Sequence, residues 1–269
     1  MSTSSNVSPA TPEPAAHREF FVGYLPVPRG IAGFLRWLLP AALGTAAVIG
    51  ISVAAMQRDS GTGVWEEGST ASLEGVVVAE PYAMIRVPGN ASNELGRTIL
   101  LVSSGKFGAK ARVRPFDGQA ARVTGTILHR DDRWMLELDD GNEAIQPLAA
   151  GNTLLGRAQA STAPATFGQV TLRGEIIDPK CYIGAMKPGG GKTHKACAQL
   201  CVGGGIPPML VTRDAHRTET FYLLSTADGQ EANTLVLPYL GDPVEVSGRL
   251  ERRGDLWVIR ADANGIRRL

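Results

Sequence analysis

The chain repeats itself, and the repeat limits its fold more than any other feature. Ser72-Leu73-Glu74-Gly75-Val76-Val77-Val78 matches Thr171-Leu172-Arg173-Gly174-Glu175-Ile176-Ile177 at an offset of 99. RPFDGQAARVTGTILHRDDRWMLEL, from Arg114, matches LPYLGDPVEVSGRLERRGDLWVIRA, from Leu237, at an offset of 123. Pro115, Gly118, Gly125 and Trp134 fall on Pro238, Gly241, Gly248 and Trp257. Self-similarity on this scale marks a duplicated structural unit. AARVTGTIL and PVEVSGRL alternate apolar and polar residues, DDR and RGD read as hairpin turns, and WMLEL and WVIRA as return strands. Glycines inside the strands (Gly75, Gly125, Gly174, Gly248) suggest the bulges or bends that small barrels use at corners. The expected fold is mainly β, with two tandem five-stranded OB-like barrels over 70–150 and 168–269. A small, polar linker over 151–167 joins them.

The two copies differ in length. Before one segment the offset is 99, and after it Thr98-Ile99-Leu100-Leu101 matches Thr220-Phe221-Tyr222-Leu223 at 122. The second copy therefore carries about 23 extra residues, which fall in the Cys/His segment 179–208. That segment holds all three cysteines of the chain, Cys181, Cys197 and Cys201, and one of its four histidines, His194. A segment that the first copy does without is a candidate for function or local stapling. THKACAQLC reads as a short helix with Thr193 as N-cap and Gly203-Gly204-Gly205 as terminator. It places His194, Cys197 and Cys201 on one face. Cys181 arrives from a strand end, with YIGAMKPGGG as a flexible return. The pattern suggests a closed Cys3His metal site, for which zinc is the expected ion. Asp178 is a candidate second-shell partner of His194. Soft sulfur ligands also suit copper(I), with Met186 and Met209 nearby, and an iron–sulfur cluster is a further alternative. Two readings need no metal: a disulfide that strands one thiol, and redox chemistry at Cys197 and Cys201.

An uncharged apolar run, Trp37–Met56, has the length that a bilayer core requires. Arg18, Arg29 and Arg36 precede it, whereas Arg58 is followed by Asp59, Glu66 and Glu67. This bias implies a single span over 31–57, with the N-terminus cytoplasmic and the barrels outside. A cleaved signal peptide is the rival reading, although the leader and the apolar run are both long for one. Residues 1–30 read as a disordered and interfacial tail. The formal net charge is +1 with acids and bases interspersed, which argues against a nucleic-acid partner. GGGKTHK lacks the glycine spacing of a phosphate loop, because Met186 stands where the first glycine belongs, so no nucleotide is expected. No Ser/His/Asp set or carboxylate pair suggests an enzyme. His129 and His216 read as solvated, and Trp134 and Trp257 as barrel core.

GEIIDPKCYIGAMKPGGGKTHKACAQLCVGGGIPPMLV resembles a motif in uncharacterised bacterial exported or membrane-anchored proteins, over about residues 165–225. They share a strand ending in Asp-x-x-Cys, then His-x-x-Cys-x-x-x-Cys and a glycine-rich exit. The resemblance implies a site at Asp178, Cys181, His194, Cys197 and Cys201 and a bacterial inner-membrane, periplasm-facing setting. It implies no reaction. The expected role is an accessory or interaction protein beside other membrane or periplasmic proteins, in a respiratory or redox assembly. The alternative is a periplasmic thiol-redox enzyme or copper chaperone using Cys197 and Cys201.

Overall fold

The computed structural model describes Gly23 and residues 27–57, 61–89, 96–149 and 164–269. The expected tail over 1–30 and linker residues 151–163 lie largely outside these. One compact unit spans Ser60–Leu269. By itself, the N-terminal unit contains helix α1, Arg29–Met56, which has an 18-residue stretch of mean hydropathy 2.0 and is long enough to cross a membrane. The helix starts earlier than the apolar run, and Pro40 lies in its interior.

The larger unit contains two closed five-stranded barrels. In the first, β2 (Ala71–Val78), β3 (Met84–Val87) and β4 (Arg97–Val102) form an antiparallel meander. The chain crosses over through a short helix, α2 (Lys110–Val113), to β5 (Ala120–Arg130) and β6 (Arg133–Leu138). β4 pairs in parallel with β6, and β5 closes the ring against β2. Short strands β1 (Val64–Trp65) and β7 (Ile145–Pro147) extend β5, so this barrel recruits residues before the expected start at 70. The second barrel repeats the path with β8 (Ala165–Ile177), β9 (Met209–Arg213), β10 (Glu219–Thr226), β11 (Pro243–Arg253) and β12 (Leu256–Ala261). Helix α3 (Lys195–Gly203) lies between β8 and β9, helix α4 (Asn233–Val236) follows β10, and β13 (Ile266–Arg268) pairs with β11. β8 begins at Ala165, so residues 165–167, expected as linker, are strand.

The registers reproduce the repeat except at β4, where Leu100 and not Leu101 is the counterpart of Leu223, one residue away from the sequence match. Leu73 faces Val123 as Leu172 faces Val246, and Leu100 faces Met135 as Leu223 faces Val258. Met84 follows its partner Val78 by 6 positions, whereas Met209 follows its partner Ile177 by 32. The insertion is thus 26 residues, offset by a following hairpin two residues shorter. Gly75, Gly125, Gly174 and Gly248 mark no register shift. A Cβ on Gly125 would lie 2.0 Å from the Glu137 carbonyl oxygen, and one on Gly248 2.3 Å from that of Arg260. They permit close strand approach where the barrel closes, and the one register shift in β11 falls between Leu250 and Glu251. Trp134 and Trp257 are half-buried beneath Arg97 and Arg252 and are not interior core. His129 is half-buried between Trp134 and Glu66, while His216 is exposed as expected.

Alternation along β4 explains how the barrels meet. Ile99 and Leu101 point into the first barrel, and Leu100 and Val102 point out. The outward residues join Met84, Leu128 and Met135 in a core shared with Met209, Val211, Leu223 and Val258 of the second barrel. Equivalent strands of the two copies therefore pack face to face.

The insertion is built into this junction and does not stand apart. Its buried Tyr182 and Ile183 belong to the shared core, so YIGAM is not a flexible return. Buried Lys180 crosses to the first barrel, where Nζ meets Glu137 at 2.9 Å and donates to the Ser103 and Gly105 carbonyls at 2.9 and 2.7 Å. The two carbonyls accept ammonium protons, and the Glu137 carboxylate balances the charge as an ion pair. Arg130 of the first barrel donates to Glu219 at 2.8 Å and to the Tyr182 carbonyl at 3.2 Å, and stacks over the Tyr182 ring. Burial opposes ionisation of Glu219, but the Tyr182 hydroxyl, Arg130 and Arg213 outweigh it and hold the carboxyl below the usual carboxylate range.

Two outcomes follow from these cross-barrel charges. Lys180→Met leaves Glu137 buried and uncompensated and should cost about 3–5 kcal/mol in urea unfolding, while the double variant Lys180→Met with Glu137→Leu recovers most of the loss. The Glu219 contribution is fully present above the unfolded carboxylate pKa and is lost as pH falls through the lower folded value. Unfolding midpoints measured across the acid range should fall less steeply in Glu219→Gln than in the native chain.

Candidate metal centre

The site starts where β8 ends. Asp178 is fully buried, and its Oδ1 accepts the Lys180 N–H at 2.9 Å and the Cys181 N–H at 3.5 Å. This side-chain turn bends the chain into a wide helical turn, closed by the Met186 N–H on the Cys181 carbonyl at 3.1 Å. The glycine-rich return runs back against that turn, and the Glu175 carboxylate on β8 accepts the Gly191 N–H. Helix α3 begins at Lys195, so His194 and not Thr193 occupies the N-cap position, without a side-chain cap. Lys195 pairs with Asp242 at 2.6 Å, and Asn233 donates to the Val202 and Ile206 carbonyls, fixing both ends of the helix to the second barrel.

The first barrel closes the other side. A Cβ on Gly204 would lie 2.0 Å from the Lys106 carbonyl oxygen, and one on Gly108 would lie 2.1 Å from that of Gly205. The Gly108 N–H donates to the Gly204 carbonyl at 2.9 Å. This backbone contact carries Lys106 to the cysteines, with Nζ 2.7 Å from Cys197 Sγ and 3.9 Å from Cys201 Sγ. Lys106 is the residue that sequence reasoning missed. It lies 91 positions from Cys197 and belongs to the copy without the insertion.

All five expected residues converge, in two overlapping triads. Donor atoms of Cys181, Cys197 and Cys201 lie within 4.8 Å of one another, as do those of Asp178, Cys181 and His194. Cys181 belongs to both. His194 shares a triad with Cys181 and Asp178 and not with Cys197 and Cys201, so the four expected ligands do not form one mutually close set. Asp178 stands among the donors, nearer than a purely second-shell role requires. The cysteines are free, and the Cys181 and Cys197 sulfurs are 4.0 Å apart. Two sulfurs bound at about 2.3 Å to one tetrahedral ion lie about 3.8 Å apart.

Two further observations fit a cation. Asp178 Oδ2 and His194 Nε2 are buried without a hydrogen-bond partner. Orphaned buried polar atoms are costly and call for an occupant. Burial pushes the His194 imidazole below its usual range, against the pull of Asp178, and so favours the neutral ligating form. The hydrogen bond from Cys181 lowers the Cys201 thiol, with help from Lys106 against burial and Asp178. The same bond, burial and Asp178 push Cys181 up. Lys106 is held above its usual range, first by its bond to Cys197.

No known protein-family model matches this chain, and no curated protein matches it.

Cys197 is half-buried, whereas Cys181 and Cys201 are buried. Iodoacetamide should therefore label Cys197 of the metal-free native chain well before the other two, as read by peptide mass mapping. Equal rates at all three would contradict this geometry.

Proposed function

We propose that this chain is a membrane-anchored metal-binding accessory protein. Cys181, His194, Cys197 and Cys201 close around a zinc ion that draws the two triads together at Cys181, and Asp178 orients His194 from the buried side. The observation that carries the reading is the pair of orphaned buried atoms, Asp178 Oδ2 and His194 Nε2, beside three clustered sulfurs. Imidazole and carboxylate among the thiols favour zinc over copper(I), which prefers an all-sulfur set. Three cysteines and a histidine close the coordination sphere, which suits a structural ion. Zinc with three thiolates and a neutral imidazole carries one negative charge, and Lys106 is positioned to balance it. Bound, the ion would contribute cross-linking of the insertion at the barrel junction.

The apolar α1 helix and the arginines before it support an inner-membrane span with the barrels on the periplasmic side. The resemblance to exported and membrane-anchored bacterial proteins points the same way. Tethering without a visible catalytic set suits a protein that works beside membrane or periplasmic partners. A second reading, thiol-redox work or copper delivery, draws on half-buried Cys197 beside Lys106 and on the lowered Cys201 thiol.

The test is a cobalt(II) titration of the chelator-stripped full chain, followed by displacement with zinc. The expected result is one ion per chain with thiolate charge-transfer absorption, lost in Cys181→Ser. Asp178→Asn should weaken binding about 10–100-fold. Absence of stoichiometric binding, with thiols that cycle between oxidised and reduced forms, would favour the redox reading instead.

A further inference from the structure

A second polar cluster lies at the barrel junction and has no part in the metal centre. A small cavity there, about 20 Å³ in volume, is lined by Glu80, Arg86 and Thr98 of the first barrel and by Ser225, Gly229 and Arg253 of the second. That volume holds about one water-sized group. Its polar lining is short of acceptors. Ser225 is 3% exposed, and its hydroxyl has no hydrogen-bond partner. Arg253 uses one terminal nitrogen on Glu251 at 3.2 Å, and its buried Nε has no hydrogen-bond partner. Arg86 is half-buried, and its guanidinium is pushed below its usual range by burial and then by Arg253.

The acidic groups nearby are engaged elsewhere. Glu80 is bound by Lys110 at 2.6 Å and faces Arg114 at 3.5 Å. Asp117, the carboxylate that acts on Arg86, accepts the Ala79 N–H at 2.8 Å. Arg86 and Arg253 thus line one cavity and act on each other, beside a buried hydroxyl with nothing to bond. Like charges in a low-dielectric site repel, and a buried donor without an acceptor costs free energy. One occupant relieves both: an anion. A space for about one water-sized group favours a small ion over a tetrahedral oxyanion.

We propose that this cavity binds one small monovalent anion of the halide class, held by Arg86, Arg253 and the Ser225 hydroxyl. Because Arg86 comes from the first barrel and the other two donors from the second, the anion ties the barrels together. The site is independent of the metal.

The test is thermal unfolding of the full chain at fixed ionic strength, with chloride replaced by gluconate, which is too large to enter. Chloride should raise the midpoint saturably, as a ligand of the native state does. Arg86→Gln should abolish the chloride-specific rise. Ser225→Ala removes only a hydroxyl and should reduce the rise, which keeps the test decisive if Arg86→Gln fails to fold. Equal midpoints in chloride and gluconate would overturn the proposal, as would a chloride effect undiminished in Ser225→Ala. Sulfate raising the midpoint as much as chloride would overturn the size assignment.

Discussion

The candidate metal centre and the barrel junction both depend on one buried ammonium group. Lys180 sits two residues after Asp178 and next to Cys181, and its side chain reaches the first barrel at Glu137, Ser103 and Gly105. Burying that charge is tolerable only because two carbonyls and a carboxylate receive it. Its docking orders the loop Ser103–Gly108, which in turn meets the end of α3 and delivers Lys106 to the sulfurs. The insertion and Asp178 just before it supply all five candidate donors, but the pocket they share is completed by the copy that lacks the insertion. Neither barrel alone contains the site.

The junction has the logic of a two-fold interface within one chain. Met84, Leu100 and Met135 correspond in register to Met209, Leu223 and Val258, and the two sets face each other. An isologous contact buries the same patch of both partners. The equivalent connection in each copy then grips the opposite barrel. In the first copy Tyr82 does so, donating to the Leu224 carbonyl at 2.9 Å and accepting the Ala232 N–H at 2.7 Å. In the second, the expanded connection does so through Lys180 and Tyr182. The insertion elaborates a contact that the shorter connection already makes.

Much of this was legible in the residues, and the omissions have physical causes. Matched glycines, prolines and tryptophans exposed the duplication because they fix backbone geometry. The ligand set was legible because its residues are close in sequence and rare in composition. Lys106, Lys180 and Glu137 were not, since a lone charge reads as solvated until the fold supplies a partner many residues away. The junction did leave one trace. Ile99-Leu100-Leu101-Val102 does not alternate, as a strand buried on both faces need not. The flexible return was misread for the same reason: Tyr182 and Ile183 are buried by the other barrel, which local pattern does not reveal.

The proposed metal centre joins four residues of the insertion, Asp178 just before it and a lysine of the other copy. It is tested most directly by the metal content of the full chain, purified in mild detergent with neither chelator nor added metal. One zinc per chain is the predicted result. A chain that emerges without any metal while its three thiols remain free and titratable would contradict it.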